Sequence, residues 1–486
     1  MKRLGLILFS LLLVSQINGQ KRDPRAVALA GATTSIAEGI YAVGYNPALI
    51  AYQVDKPFMM QFGGIDFGMS NNYLSMAAMQ SLSGSFLDED EKTLIINRLE
   101  RNGGLAFNVN GLFAIPGINY ASGNMAITAN FLYMGSYSLP AGLARLMLEG
   151  NANNPEIDMT IGYEIMGINE MSFSFAVPYE SFALGFSLKY LQGLFYFGID
   201  PDSSNANFVT TPTAVYGSGS YYLRQGIGGA GYALDIGVAT KEYNGFRFGV
   251  SLINALGTIG WNKPSFLKDI LAGKDNEFGN DDDLYHMTWD GQALKDSDAI
   301  LYTYTIDSIR ADNLSGESLF SSSSEIKSNV DENGKPKEFN IRYPSILRFG
   351  VSYKKNDLLI TSDLTTGFEN RLYAHSRWRW AIGTEILRFP NWPFRIGFAW
   401  EGMDRTELGM GLGFHGGPTL IDFGFSFRNG MWVHSMKGLN VSLGFTVTSF
   451  KGKKKKGDAE NVGPSPVPEG TKPPDTEKSL PGEDQK

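Results

Sequence analysis

Large apolar residues recur at every second position in segment after segment of this chain. Phe182, Leu184, Phe186, Leu188 and Tyr190 alternate with Ala183, Gly185, Ser187 and Lys189. Phe394, Ile396, Phe398 and Trp400 alternate with Arg395, Gly397, Ala399 and Glu401. Near the end, Leu439, Val441, Leu443, Phe445 and Val447 alternate with Asn440, Ser442, Gly444, Thr446 and Thr448. A period of two marks β-strands with two chemically different faces. One face is large and apolar, the other small or charged. In a soluble sandwich the outer face would be rich in Lys, Glu and Thr, and this much glycine would weaken the strands. In a barrel set in lipid the apolar face points outwards, and small residues relieve crowding in the lumen.

The pattern predicts strands over 57–69, 105–120, 125–138, 157–177, 181–199, 229–241, 246–259, 342–354, 357–366, 377–388, 394–402, 407–414, 419–428 and 439–450. The connections alternate in length. Tight ones, at 121–124, 178–180, 242–245, 355–356, 389–393 and 415–418, hold the Gly, Asn and Pro of turns. The longer ones include 70–104, 139–156, 200–228 and an acidic, Ser-rich insertion over 260–341. Short turns at one end and long loops at the other are the asymmetry of an outer-membrane barrel, and an even strand count puts both termini on the periplasmic side. The expected fold class is all-β: a transmembrane antiparallel β-barrel of about fourteen strands. Two long loops carry helical patterns. Residues 87–101 open with Asp88–Glu91, close on Arg98 and Arg101, and carry an apolar stripe of Leu94, Ile95 and Leu99. Residues 140–149 offer a second short helix with Leu143, Leu146 and Leu148.

The start of the chain agrees with export. Lys2 and Arg3 precede an apolar run over 4–14 and a polar exit over 15–20, which reads as a secretory signal cut after Gly19 or Gln20. That run is too short to cross a bilayer as a helix. With a signal over 1–19 and a plug segment over 20–56, the barrel occupies 57–450. A Pro-, Glu- and Lys-rich tail follows over 451–486, too poor in apolar residues to order itself in the periplasm. The 57 Gly, the 32 Phe and a charged fraction of 19% suit a barrel with aromatic girdles.

Chemistry is sparse. There is no cysteine, so thiolate metal sites, disulfides and a lipoprotein anchor are excluded. A net charge of −8 argues against nucleic acid. His286, His375, His415 and His434 fall on separate loops and a turn, with no metal-binding pair, serine elbow or phosphate loop. Asp275–Asp283 lacks the spacing of a calcium loop. No enzyme, metal or cofactor reading results. By parity the lumen-facing charges are Lys189, Asp235, Arg247, Arg348, Asp363, Arg379, Glu385, Arg395, Glu401 and Asp422. They read either as a network joining barrel and plug, or as groups, notably Arg348, Arg379 and Arg395, that hold a carboxylate or phosphate headgroup.

Between signal and first strand lies a small-residue segment too apolar for an exposed tail. Its Gly31-Ala32 pair and Asn46-Pro47-Ala48-Leu49 resemble the N-terminal hatch of the FadL-type long-chain fatty acid transporters. The wording is also similar to the barrel shuttle of type IX secretion and, most closely, to an uncharacterised FadL-like family. The resemblance implies a hatch seated in the lumen and the passage of a hydrophobic small molecule. That molecule would be captured between the external helices at Leu94, Leu99, Leu143 and Leu146. The alternative is a structural or interaction role with a secretion or surface protein, which the acidic loop and the Lys-rich tail would suit. Either role places the protein among outer-membrane lipid.

Overall fold

The structure, a computed structural model, describes residues 23–448 apart from 54–57, 83–85, 151–155, 201–202, 211–214, 370–371, 373, 402–404 and most of 262–338. The signal, the tail, the Asp275–Asp283 run and both ends of the proposed plug segment lie outside the described residues.

Fourteen antiparallel strands close into a barrel. They are β1 Phe58–Asn71, β2 Leu105–Ala114 continued by Tyr120–Ser122, β3 Met125–Leu139, β4 Gly162–Pro178, β5 Phe182–Ile199, β6 Val215–Thr240 and β7 Phe246–Trp261. There follow β8 Phe339–Arg342 continued by Ile346–Lys355, β9 Leu358–Gly367, β10 Arg379–Ile386, β11 Phe394–Trp400, β12 Thr406–Gly416, β13 Thr419–Arg428 and β14 Gly438–Thr448. Each pairs with its sequence neighbour, and β14 returns to β1 with Leu443 opposite Ile65. Closure leaves no open edge, the condition for strands to cross lipid.

The alternation is borne out in burial. Ile65, Phe173, Phe248, Ile396, Trp400, Phe423 and Leu443 are exposed on the outer face, while Asp66, Ser172, Ser251, Arg395 and Ser442, on the same strands, are buried. An exposed face of this composition belongs in hydrocarbon, not water.

Three departures from the expected strands have physical reasons. The predicted strand over 105–120 breaks at Ile115–Asn119, where Pro116 and Gly117 (φ +76°) cannot continue a ladder. The predicted strand over 229–241 starts fourteen residues earlier, at Val215. Its extra length pairs with strands 205–210 and 299–311, so part of the presumed loops is sheet. The segment over 157–177 divides into a short strand, Glu156–Asp158, and β4. The helices expected in the loops appear as Glu89–Arg101 and Ala141–Leu148; Met76–Leu82 forms another.

Candidate functional site

Residues 23–53 lie inside the barrel at its short-turn end and are built from compact, well-capped turns. The Asp23 carboxylate caps helix α1 (Pro24–Ala28), accepting from the amides of Arg25 and Ala26 at 2.9 and 3.1 Å. Gly31 then turns the chain with φ +86°, a left-handed conformation natural to glycine. Asn46 caps the 3-10 helix Pro47–Tyr52 through the Ala48 amide (3.1 Å), and its own amide donates to the Val238 carbonyl of β6 (3.0 Å) and to Thr34 (3.2 Å). Ala32 is fully buried against Ala381 and Ala399. The wall makes room with glycine. A Cβ at Gly185 would strike the backbone of Ala48, one at Gly397 the backbone of Leu29, and one at Gly424 that of Pro24. The small faces of the strands thus seat the main chain of this segment directly.

Charges fasten the contact. The Asp363 carboxylate accepts from the amides of Thr33 and Thr34 at 2.9 Å each and from the Thr34 hydroxyl at 2.6 Å. Arg348 donates to Asp363 (3.2 Å), to the Thr34 hydroxyl (2.8 Å) and to the Gly31 carbonyl (2.9 Å), and its guanidinium lies over the Tyr45 ring. A second chain runs from Arg25 to Glu385 (2.6 Å), on to Arg395 (2.7 Å) and then to Asp422 (2.5 Å), with the His415 ring 3.2 Å beyond. Asp363, Arg348, Glu385 and Arg395 are almost completely buried, and each has an opposite charge in contact. Buried charge requires such pairing. Arg348 and Arg395 therefore sit in the framework that joins barrel and N-terminal segment.

The other charges divide. Lys189 contacts Asp235 (3.0 Å) and Glu170 (3.4 Å) and donates to Asn254 (2.6 Å), within the wall and away from the plug. Asn254 (φ +56°) and Leu256 (φ +59°) mark a register shift in β7 at this point. Arg247 is partly exposed over the Tyr52 ring, 4.0 Å from Glu242. Arg379 joins Glu407 (2.7 Å) and the Ala30 carbonyl (2.8 Å), and Glu401 pairs with Arg405 (2.9 Å) at the long-loop end. Glu407, Arg428 and Glu170 are not among the candidate charges, although all three fall within the expected strands over 407–414, 419–428 and 157–177.

The long-loop half of the lumen has two chemically different sides. On β2–β8 its lining is apolar, with Leu132, Met134, Met166, Leu191, Trp261 and Ile341 buried in one cluster. On β9–β14 it carries Arg379, Glu407 and Arg428. Above the wall, the Glu89–Arg101 helix is closed by a reciprocal cap between Asp88 and Glu91, and the Glu100–Arg145 ion pair (2.8 Å) ties it to the Ala141–Leu148 helix. Leu99 is buried, Leu143 and Leu146 are half-buried, and Leu94 is turned to solvent, so the four do not share one surface. A cavity of about 640 Å³ at these helices is rimmed by Glu100, Arg145, Glu156 and Asp158.

The barrel wall is interrupted beside the N-terminal segment. Where Ile115–Asn119 leaves the ladder, Asn119 holds the gap: its amide donates to Gln61 (2.8 Å) and Asn130 (2.9 Å) and its oxygen accepts from the Ala129 amide (2.6 Å). A space of about 20 Å³ behind it touches Pro24 and Tyr41 on the lumen side and Ile65 and Leu443 on the outer face.

A closed fourteen-strand barrel, apolar without and holding its own N-terminal segment in the lumen, is an outer-membrane β-barrel. The chain belongs to a protein family described as a family of unknown function (DUF5723), whose model matches residues 47–425. Among solved structures it is similar to the toluene transporter TbuX of Ralstonia pickettii, with 12% identity, 89% of this chain and 99% of that one covered, and a TM-score of 0.46. A FadL homologue of Pseudomonas aeruginosa gives 13% identity, 89% and 100% coverage and a TM-score of 0.46. The toluene transporter TodX of P. putida gives 9%, 89% and 100%, and 0.44. No curated protein matches. No group of three or more His, Cys, Asp or Glu that could hold a metal occurs among the described residues.

Proposed function

We propose that this barrel passes hydrophobic small molecules across the outer membrane without a cofactor, with both termini in the periplasm. The observation that carries this reading is the inward-facing apolar side of β2–β8 directly above the plug. Met134, Met166, Leu191 and Trp261 bury apolar surface on the lumen face, the chemistry that a hydrophobic molecule would meet there. An apolar molecule entering from the long-loop end would lie on that side. Its way onward is blocked by the segment over 23–53, so release requires that segment to shift. The break in β2 is the weakest point of the adjoining wall, since amide hydrogen bonds of Asn119 stand there in place of a continuous ladder. At about 20 Å³ the space behind it holds no more than a water molecule, so the resting state is closed.

Native mass spectrometry of the protein taken from its own outer membrane in mild detergent tests this. An apolar mass bound to the wild type and lost in Asn46→Ala is the expected result. A stoichiometric protein partner with no small molecule would replace the transport reading with a secretion or surface-assembly role.

A further inference from the structure

The long-loop end of the lumen holds a second, chemically opposite site. A cavity of about 410 Å³ opens between the ends of β1, β10–β13 and the last turn of the Glu89–Arg101 helix. Among the described residues that line it, all but Ala106 are polar. Five are arginines: Arg101, Arg377, Arg379, Arg405 and Arg428. Two are carboxylates, and both already have partners. Glu401 contacts Arg405 at 2.9 Å; Glu407 contacts Arg379 at 2.7 Å and accepts from Ser426 (2.7 Å) and Asn440 (3.0 Å). Five arginines less two glutamates leave a formal charge of +3, with His375 neutral.

We infer that this cup binds a multiply charged oxyanion of the phosphate class, either a phosphate-bearing lipid headgroup or a soluble phosphate compound. Three observations select that chemistry. A hydrocarbon would meet a lining of charged and amide side chains here, so the cup is not the place for the hydrophobic molecule proposed above and does not depend on it. A single carboxylate would offset one charge of three, whereas a phosphate monoester brings about −1.5 to −2 at neutral pH and a diphosphate more. Guanidinium groups present paired N–H donors in the fork geometry that phosphate oxygens accept. Around the rim, Asn71, Asn72, Asn102 and Asn429 are neutral, and their side-chain amides donate to backbone carbonyls, so the charged donors of the cup are its arginines. The surrounding charge registers on His375, whose pKa is pushed down to about 3, first by burial and then by Arg405, Arg428 and Arg377.

The site also touches the plug. Its floor is Arg379, which donates to the Ala30 carbonyl at 2.8 Å next to the Gly31 turn. An anion that draws Arg379 upward competes with that bond, so occupancy of the cup bears on how the plug is held.

The test uses the full-length protein purified in nonionic detergent, its bound phosphorus measured and inorganic pyrophosphate then titrated by calorimetry. The variant Arg377→Gln/Arg405→Gln removes two exposed rim charges and should keep the wild-type shift in gel mobility on heating. Arg388→Gln, at the opposite end of the barrel, serves as the charge control. Pyrophosphate should bind the wild type and the control alike and the double variant about tenfold or more weakly, as expected for loss of hydrogen bonds to a charged group. Phosphate-bearing lipid that copurifies with the wild type and not with the double variant identifies a headgroup. Absence of copurified phosphorus with pyrophosphate binding intact identifies a soluble anion. If pyrophosphate fails to bind and no phosphorus copurifies, or if both are unaffected by Arg377→Gln/Arg405→Gln, the inference is overturned, whatever becomes of the apolar mass in the transport experiment.

Discussion

The two ends of the lumen treat charge in opposite ways. At the short-turn end, Arg25, Arg348 and Arg395 meet Asp363, Glu385 and Asp422 in contact, deep in the protein, and the N-terminal segment supplies both charge and backbone donors to the arrangement. At the long-loop end, arginines exceed carboxylates and several sit at the rim. The same residue type thus does different work. Paired and desolvated charge fixes one geometry and would become costly if either partner left. Surplus charge facing an open cup adds little to stability and remains able to engage a ligand. The difference separates a framework from a binding surface more reliably than either burial or residue identity alone.

The largest effect should come from breaking the framework. Asp363→Asn leaves Arg348 buried without its countercharge and weakens three further hydrogen bonds to Thr33 and Thr34. Removing one partner of a buried pair costs about 3–5 kcal/mol. The guanidinium chloride midpoint of the detergent-solubilised barrel should fall accordingly, and the N-terminal segment should become open to protease. A midpoint close to wild type would mean that the plug is held by shape alone, through the glycine-lined wall.

Asn46→Ala sharpens the same point at smaller scale. It removes the cap on Pro47–Tyr52 and the bonds to Val238 and Thr34 while leaving every ion pair intact. A lost cap costs about 1 kcal/mol, with a further penalty for the buried carbonyl left without its donor. Stability should drop less than in Asp363→Asn, yet hydrogen exchange at 46–52 should quicken. Equal losses in the two variants would show that caps and ion pairs act as one unit.

Most of this architecture is legible in the chain. Strands such as β11 and β14 declare themselves because lipid outside and a crowded lumen inside impose opposite demands on alternate residues. The N-terminal segment stands out in the chain by its small apolar residues, and the structure adds that Gly31, Asn46 and Pro47 supply a left-handed turn, a cap and a first helical residue, respectively. The misses occur where lipid no longer dictates the pattern. The part of β6 over 215–228 pairs in large part with the loop strands 205–210 and 299–311, and its Gly- and Ser-rich run lacks the clean apolar alternation of the later strands. Pro116-Gly117 did announce a breaker, but the apolar Phe113, Ile115 and Ile118 around it masked it. The arginine cup was the least legible feature. Arg101, Arg377 and Arg405 lie at strand ends and in loops separated by up to about three hundred residues, where parity assigns no face and closure of the barrel alone brings them together.

The smallest effect tests the other side of the comparison. Arg405 is largely exposed and pairs with Glu401 four residues away. Exposed pairs of this kind contribute about 0.2–1 kcal/mol. Arg405→Gln should therefore leave the denaturation midpoint nearly unmoved, in contrast with Asp363→Asn. Its effect should be seen in salt dependence instead: with one rim charge gone, pyrophosphate binding should weaken less steeply as sodium chloride is raised. A stability loss as large as that of Asp363→Asn would erase the distinction between the two ends, because the rim would then be framework as well. An unchanged midpoint with a shallower salt dependence would place Arg405 among the residues that the fold can spare and the ligand cannot.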